Sequence, residues 1–333
     1  KGETIVFAAS TSSIRTSGLK KLFDYEVEKR SPRDNFFHCL VNAAHQFYNE
    51  KGNERYFLSG YPWFKSRARD TFVSLPGLTL AIDEQDKFEL VMKTAEKALR
   101  EFMEDKPLTV NIYEMEQPDV LLWAVWAIQQ YRKAAGAEKF IAMYGKLLQD
   151  IIRYIIEGKH PNLRLDDNGL LYSNGRDRAV TWMNSTANGR PVVPRTGYIV
   201  EFNALWYNEA GKEGAVKSLE ERAELCKTSF VDTFLNEYGY LLDYVDGNMM
   251  DWSVRPNMIF AVAFDYSPLN QDQKKSVLDV CTRELLTPKG LRSLSPKSGG
   301  YNPMYVGAQT QRDYAYHQGT AWPWLGGFYM EAC

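Results

Sequence analysis

Segments with a helical period of apolar residues dominate this chain, and one of them constrains the fold more than any other. Residues 119–133, DVLLWAVWAIQQYRK, are apolar nearly all the way round. A helix without a polar face has to be covered on every side by other elements. Its neighbours are one-sided. In residues 87–103, Phe88, Val91, Ala95 and Leu99 make a single stripe, and residues 214–235 also keep a polar face. Inner and outer helices that alternate along a chain suit a closed helical toroid. Further helices are expected over residues 36–49, 70–82, 138–157, 200–210, 256–264, 271–286 and 317–332. Pro76 and Gly77 weaken the segment 70–82, whereas Pro118 is placed to start 119–133. Residues 1–30 are rich in Ser, Thr and Lys and lean towards β structure, as a connector or the tail of another domain would.

The bulk numbers exclude several classes. The chain has 333 residues, 44% of them hydrophobic, enough for a sizeable core. Net charge is -2 and no basic stretch is present, so nucleic acid is not an expected partner. No apolar run approaches the roughly 18–20 residues of a membrane helix. The first residues lack the pattern of a signal peptide. Cys39, Cys226, Cys281 and Cys333 are far apart with no C-x-x-C pair, which suits free thiols in a reducing compartment, two disulfides being the alternative. The four histidines lack metal-ligand spacing, so neither metal nor cofactor is expected.

Aromatic residues make up 14% of the chain, and many stand beside charges and glycines in long loops at 60–70, 166–198, 239–255 and 287–318. Residues 180–208 concentrate this mixture: Trp182, Trp206 and Tyr207, the charged pair Arg195 and Glu201, and the amides Asn184 and Asn203. Sugar sites need flat rings to stack on pyranose faces and fixed polar groups to bind hydroxyls. The plainer alternative is a loop feeding a buried helix, with the aromatics as core. Trp63, Trp182, Trp252 and Trp322 have the surroundings of sugar platforms, whereas Trp123 and Trp126 lie in the apolar helix and read as core. Asp70 and Asp119 stand where a hydroxyl acceptor or a helix N-cap belongs. Arg255 and Asn257 suit hydroxyl binding, and Asn257 equally suits a helix start. His317 and Gln318 precede Gly319, where a ligand can approach the backbone closely.

Six stretches, taken together and in order, resemble the glucosidase part of glycogen debranching enzymes. They are GYPWFKSRARDTFVSLPGL (60–78), DVLLWAVWAIQQY (119–131), TWMN with PRTG and VEFNALWYN (181–208), RPN (255–257), LLTPKGLRSLSP (285–296) and YHQGTAWPW (316–324). The resemblance implies an all-α domain, an (α/α)6 toroid over residues 31–333. It also implies a cytoplasmic glycoside hydrolase acting on α-1,6 branch points of glycogen or branched maltodextrins, and it leaves room for a separate N-terminal glucan-binding domain. Hydrolysis would invert the anomeric centre. A carboxylic acid protonates the leaving oxygen, and a carboxylate activates water on the opposite face. The family's base lies beyond the last motif, so the toroid is expected to be incomplete at the C-terminus, with Glu331 in the wrong place to serve. Arg69–Asp70 resembles a pair that grips sugar hydroxyls, the Arg fork orienting the carboxylate. Here Arg67 and Ala68 replace the Trp-Gly usual just before it.

The largest departure is at the acid. The family reads T-W-M-D, and this chain has Asn184. An amide has no proton to donate at a useful pKa. Three readings follow: an acid from elsewhere, with Glu201 first and Asp243, Asp246 or Asp251 next; a glucan-binding module that does not cut; or an introduced substitution. Glu201 beside Arg195 reads equally as a structural ion pair. Arg195, Asn203 and Tyr207 are expected to bind substrate. A third activity, on trehalose or mannosides, keeps the same toroid.

Overall fold

The computed structural model describes residues 5–10, 13–61, 63–210 and 217–333. Among them are the helices α1 (Leu19–Glu28), α2 (Phe36–Phe47), α3 (Ala68–Leu78), α4 (Gln85–Met103), α5 (Val120–Ala135) and α6 (Ala137–Ile156). There follow α7 (Val200–Ala210), α8 (Lys217–Phe234), α9 (Ile259–Ala263), α10 (Gln271–Leu285), α11 (Gln309–Ala315) and α12 (Leu325–Ala332). Local chemistry sets several ends. The Asn35 side chain accepts from the His38 N–H to cap α2, and Asn270 and Gln273 cap α10 reciprocally. Gly136, at φ +83°, ends α5 with its N–H on the Arg132 carbonyl.

Burial follows the apolar pattern. Every residue of α5 from Val120 to Ile128 is buried, together with Tyr131, because α3, α4, α6 and α7 all pack on this helix. α4 buries Phe88, Val91, Met92, Ala95, Ala98 and Leu99 along one face. Helices α3, α5, α7, α9 and α12 form an inner row, each packed on the next, with α4, α6, α8 and α10 outside them. Phe328 of α12 closes on Trp123, Trp126, Phe260 and Phe264, with ring centroids 4.9 to 6.1 Å apart. Trp123 and Trp126 are therefore core. No helix among the described residues is long and apolar enough to cross a membrane. All four cysteines are free.

Several elements differ from the sequence expectations. Residues 19–28, read as β-leaning, form α1. The helix expected over 36–49 stops at Phe47, and Tyr48–Lys51 pairs with Glu54–Phe57 in a hairpin. The loops 166–198 and 239–255 contribute to a five-stranded antiparallel sheet of Arg164–Leu165, Leu171–Ser173, Gly197–Ile199, Tyr244–Asp246 and Met249–Met250. Of the helix expected over 317–332 only Leu325–Ala332 forms. Ala321–Trp322 pairs instead with Leu291–Arg292. The start of the helix expected at 214–235 lies outside the described residues. These differences share a cause: short strands gain their stability from partners distant in sequence, which a local pattern does not reveal.

Candidate functional site

The first turns of the inner helices meet at one end of the row. Arg69, in the first turn of α3, is buried and forks onto Asp119, the N-cap residue of α5, through Nε–Oδ2 at 2.6 Å and Nη2–Oδ1 at 2.8 Å. Its Nη2 also reaches the Val180 carbonyl at 3.4 Å. Asp119 makes no cap hydrogen bond, since Arg69 takes its carboxylate. Asp70 is not an N-cap either, because Arg67 holds that position. The expected fork of Arg69 on Asp70 is corrected: it grips Asp119, and the Asp70 carboxylate points to solvent.

A second cluster joins α7 and α9. Glu201, in the first turn of α7, has one oxygen on Arg195 Nη1 and the other 2.6 Å from Nη2. Arg195 Nη2 also donates to Asp243 Oδ1 at 2.9 Å and to the Asp243 carbonyl at 3.0 Å. Asn257, just before α9, donates to Asp243 Oδ1 at 2.7 Å and accepts from the Trp182 indole N–H at 2.7 Å. Arg255 donates to the Ser293 carbonyl, the His317 carbonyl and Gln318 Oε1, the last at 2.7 Å. Its Nε lies 3.8 Å from Asp243 Oδ2. The charges balance: Arg69, Arg195 and Arg255 face Asp119, Glu201 and Asp243, so the buried network is close to neutral. The positive ends of α3, α5 and α7 add to the stability of the carboxylates.

Burial and these charges set the protonation states. Burial, helped by the Asp243 charge, raises the Glu201 carboxyl although Arg195 works against it. Both of its oxygens are held by the guanidinium, so neither is free to meet a leaving oxygen. Burial also lowers Arg195, but Asp243 and Glu201 outweigh it and raise its proton affinity. The His317 ring is pushed down to about 3 by burial and by Arg255 and Arg69, so it is neutral. Its Nδ1 accepts the Ser185 N–H at 3.4 Å.

Above this network lies an open rim. Trp182 is 9% exposed and meets the rings of His317, Trp322 and Trp324 edge-on, at 5.3, 5.3 and 5.2 Å. Trp322 stacks on His317 at 5.1 Å and 10°. Tyr316 packs on Trp322 and Tyr305, and the charges of Arg67 and Asp70 act on its hydroxyl. Asn184, two residues after Trp182, is exposed, and its amide makes no hydrogen bond. Such a rim offers an aromatic wall, one free carboxylate at Asp70 and one free amide at Asn184.

The structure sorts the expected site residues. Asp70, Asn184, Gln318 and Trp322 reach the rim, whereas Trp182 as a sugar platform is corrected: it is buried with the core and backs Trp322 and His317. Asp119, Arg195, Asn257, Arg255 and His317 form the buried floor, where their polar atoms are largely spent on protein partners and shape the site. Glu201 as a free acid is corrected, because both of its oxygens are held and the side chain is 2% exposed. Asn203 is also corrected: its amide is used by the Leu171 N–H and by the Leu171 and Ile199 carbonyls, tying α7 to the sheet. Tyr207 turns the other way, towards Glu224 and Cys226 of α8. Trp63 is 82% exposed and has no ring partner. Of the spare acids, Asp243 is buried, Asp246 is held by Tyr172 and Arg176, and Asp251 accepts the Ser253 N–H. Glu331 lies near Lys133 and Asp265, at the opposite end of α5 from Asp119. Sequence reasoning missed Ser185, Tyr305 and Tyr316. Only Tyr316 left a signal, as the first residue of YHQGTAWPW.

Two comparisons bear on this arrangement. The sequence pattern of the family described as amylo-alpha-1,6-glucosidase matches residues 41–333, nearly the whole chain. The chain belongs to this family. It is also similar to the glycogen debranching enzyme of Saccharomyces cerevisiae (strain ATCC 204508 / S288c), 31% identical over 90 residues. That stretch covers 25% of this chain and 6% of the yeast protein.

Proposed function

We propose that the rim binds the glucose end of a branched α-glucan, and that this chain is a debranching glycoside hydrolase whose proton-donating position carries an amide. Residues 31–333 would form the catalytic (α/α)6 toroid, supported by the alternation of inner and outer helices, with residues 1–30 as a connector. Trp322, part-exposed and backed by the buried Trp182, stacks on a sugar face, and Asp70 accepts hydroxyls. The observation that carries the reading is Asn184. It is exposed two residues after Trp182, at the position where the resemblance implies the family's acid, and its amide makes no hydrogen bond to another described residue. Glu201 and Asp243 are engaged by Arg195 and do not substitute for it.

Binding without efficient protonation of the leaving oxygen follows. The unchanged full-length protein should bind branched maltodextrin and release glucose from it slowly. A substrate such as α-glucosyl fluoride, whose leaving group needs no proton, should be favoured over it. N184D should raise glucose release from branched maltodextrin on the order of 100-fold, the usual contribution of a general acid. The first-formed glucose should be the β-anomer, as inversion requires. Equal rates for the unchanged protein and N184D would place the acid elsewhere and overturn the reading.

A further inference from the structure

We propose that Asn257 is a positioning residue: it fixes the aromatic wall of the rim by tying the Trp182 indole to the buried cluster of Asp243, Arg195 and Glu201. The inference rests on the reading of the rim as a sugar site, which gives Trp182 its role. The indole N–H is a donor only, and the Asp243 carboxylate is an acceptor only. The Asn257 amide stands between them and matches both, its Oδ1 accepting from the indole and its Nδ2 donating to Asp243, at 2.7 Å on each side. Its other near contact is the Met183 sulfur at 3.7 Å.

The remaining contacts of Trp182 do not set its orientation in the same way. Its meetings with His317, Trp322 and Trp324 are edge-to-face, at interplanar angles of 88°, 78° and 84°. Such contacts tolerate sliding, whereas a hydrogen bond to a buried amide fixes one edge of the ring. The amide is in turn fixed, since Asn257 is fully buried and Asp243 is gripped by Arg195. A chain of four side chains thus runs from Glu201 in the first turn of α7 to Asn257 just before α9 and ends on the Trp182 ring. Trp182 is buried and backs Trp322 and His317, so a rotation of its ring shifts the part-exposed Trp322 that a sugar face would meet.

N257D separates this role from packing, because it keeps size and shape. The groups around the position are Asp243, Arg195, Arg255 and Glu201, with Asp251 and Tyr244 acting on Arg255 and His317 across the indole. The guanidiniums are already matched by Asp243 and Glu201. The carboxyl introduced by N257D therefore meets burial and the Asp243 charge, and both raise its pKa. Protonated at low pH, it donates to Asp243 and accepts from Trp182, as the amide does. Ionised at higher pH, it still accepts from Trp182 but repels Asp243 instead of donating to it, so the ring is cut loose from the buried cluster.

The test uses the full-length protein. The Trp182 indole N–H resonance, identified by its loss in Trp182→Phe, is followed against pH without sugar. Affinity for a branched maltooligosaccharide is followed in parallel by tryptophan fluorescence. In the unchanged protein both should stay flat across about pH 5 to 8. In N257D the resonance should sit at its unchanged position at low pH and move as pH rises, with affinity falling on the order of tenfold in step. A resonance in N257D that does not move, or one that moves while affinity holds, overturns the positioning role. Failure of the unchanged protein to bind the oligosaccharide is a different result: it sinks the sugar reading, while the sugar-free resonance still tests the link. If N257D does not fold, hydrogen exchange in the unchanged protein decides. The Trp182 indole should exchange far more slowly than that of the exposed Trp63, and equal rates overturn the proposal.

Discussion

Glu201 and Asn184 stand 17 positions apart in the chain, and burial gives them opposite chemistries. The carboxylate is enclosed and held at both oxygens by Arg195, whereas the amide is open to solvent and held by nothing. Removing one partner of a buried ion pair leaves an uncompensated charge. Glu201→Gln should therefore lower stability by about 3 kcal/mol, seen as a lower urea midpoint with an unchanged m-value. A loss of turnover with full stability would instead restore Glu201 as the acid. The sequence allowed both readings because the nearness of Arg195 in the chain does not say whether the pair is enclosed, and Asp243, which completes the buried cluster on Arg195, lies 42 positions beyond Glu201. Nothing in the local pattern at Glu201 announces it. Asn184 was legible as an anomaly, since its neighbours Thr181, Trp182 and Met183 match the motif and it does not.

The helices and strands differ in how far they could be read from sequence. α4 and α5 follow from stripe and all-round apolar patterns, because a helix's buried face is written within its own few turns. The sheet that holds Asp243 was missed, because each strand has only two or three residues and pairs with a distant segment. Gly197 shows what that pairing demands. Its φ is +101°, and a Cβ there would stand 2.1 Å from the Val245 carbonyl oxygen of the neighbouring strand. No L side chain fits both conditions. Gly197→Ala should cost about 3 kcal/mol and loosen Asp243 from Arg195. Urea unfolding measures the first effect. Reduced sugar-dependent quenching of tryptophan fluorescence measures the second, through Asn257 and Trp182.

Over the whole molecule, the alternation of inner and outer helices was readable, whereas the polar network at one end of the inner row was not, since it depends on which helix ends the fold brings together. Two buried histidines, His317 beside that network and His160 apart from it, give stability a dependence on pH. His317 is held down to about 3 and His160 to about 4, each first by burial and then by nearby arginines. His160 uses Nδ1 to accept the Asn162 N–H, and its Nε2 is buried without a partner. Both rings are neutral in the folded chain and take up protons near pH 6.5 when unfolded. Between the two values the unfolded state binds more protons, so stability is present above about pH 6.5 and is lost as pH falls. Two such groups give a slope of up to about 3 kcal/mol per pH unit. Carboxylates held low by partners, such as Asp150 and Glu284, lose their contribution only below their own ordinary values near 4, and so act beneath this window. Glu331 and Glu201, both raised by burial, work in the opposite sense and temper this slope. Urea midpoints recorded between about pH 6.5 and 4.5 should therefore fall steeply, and His160→Gln, which keeps an acceptor for Asn162, should roughly halve the slope. A midpoint that stays flat across that interval would mean that these rings are solvated in the folded chain, and that the floor beneath the rim is wet.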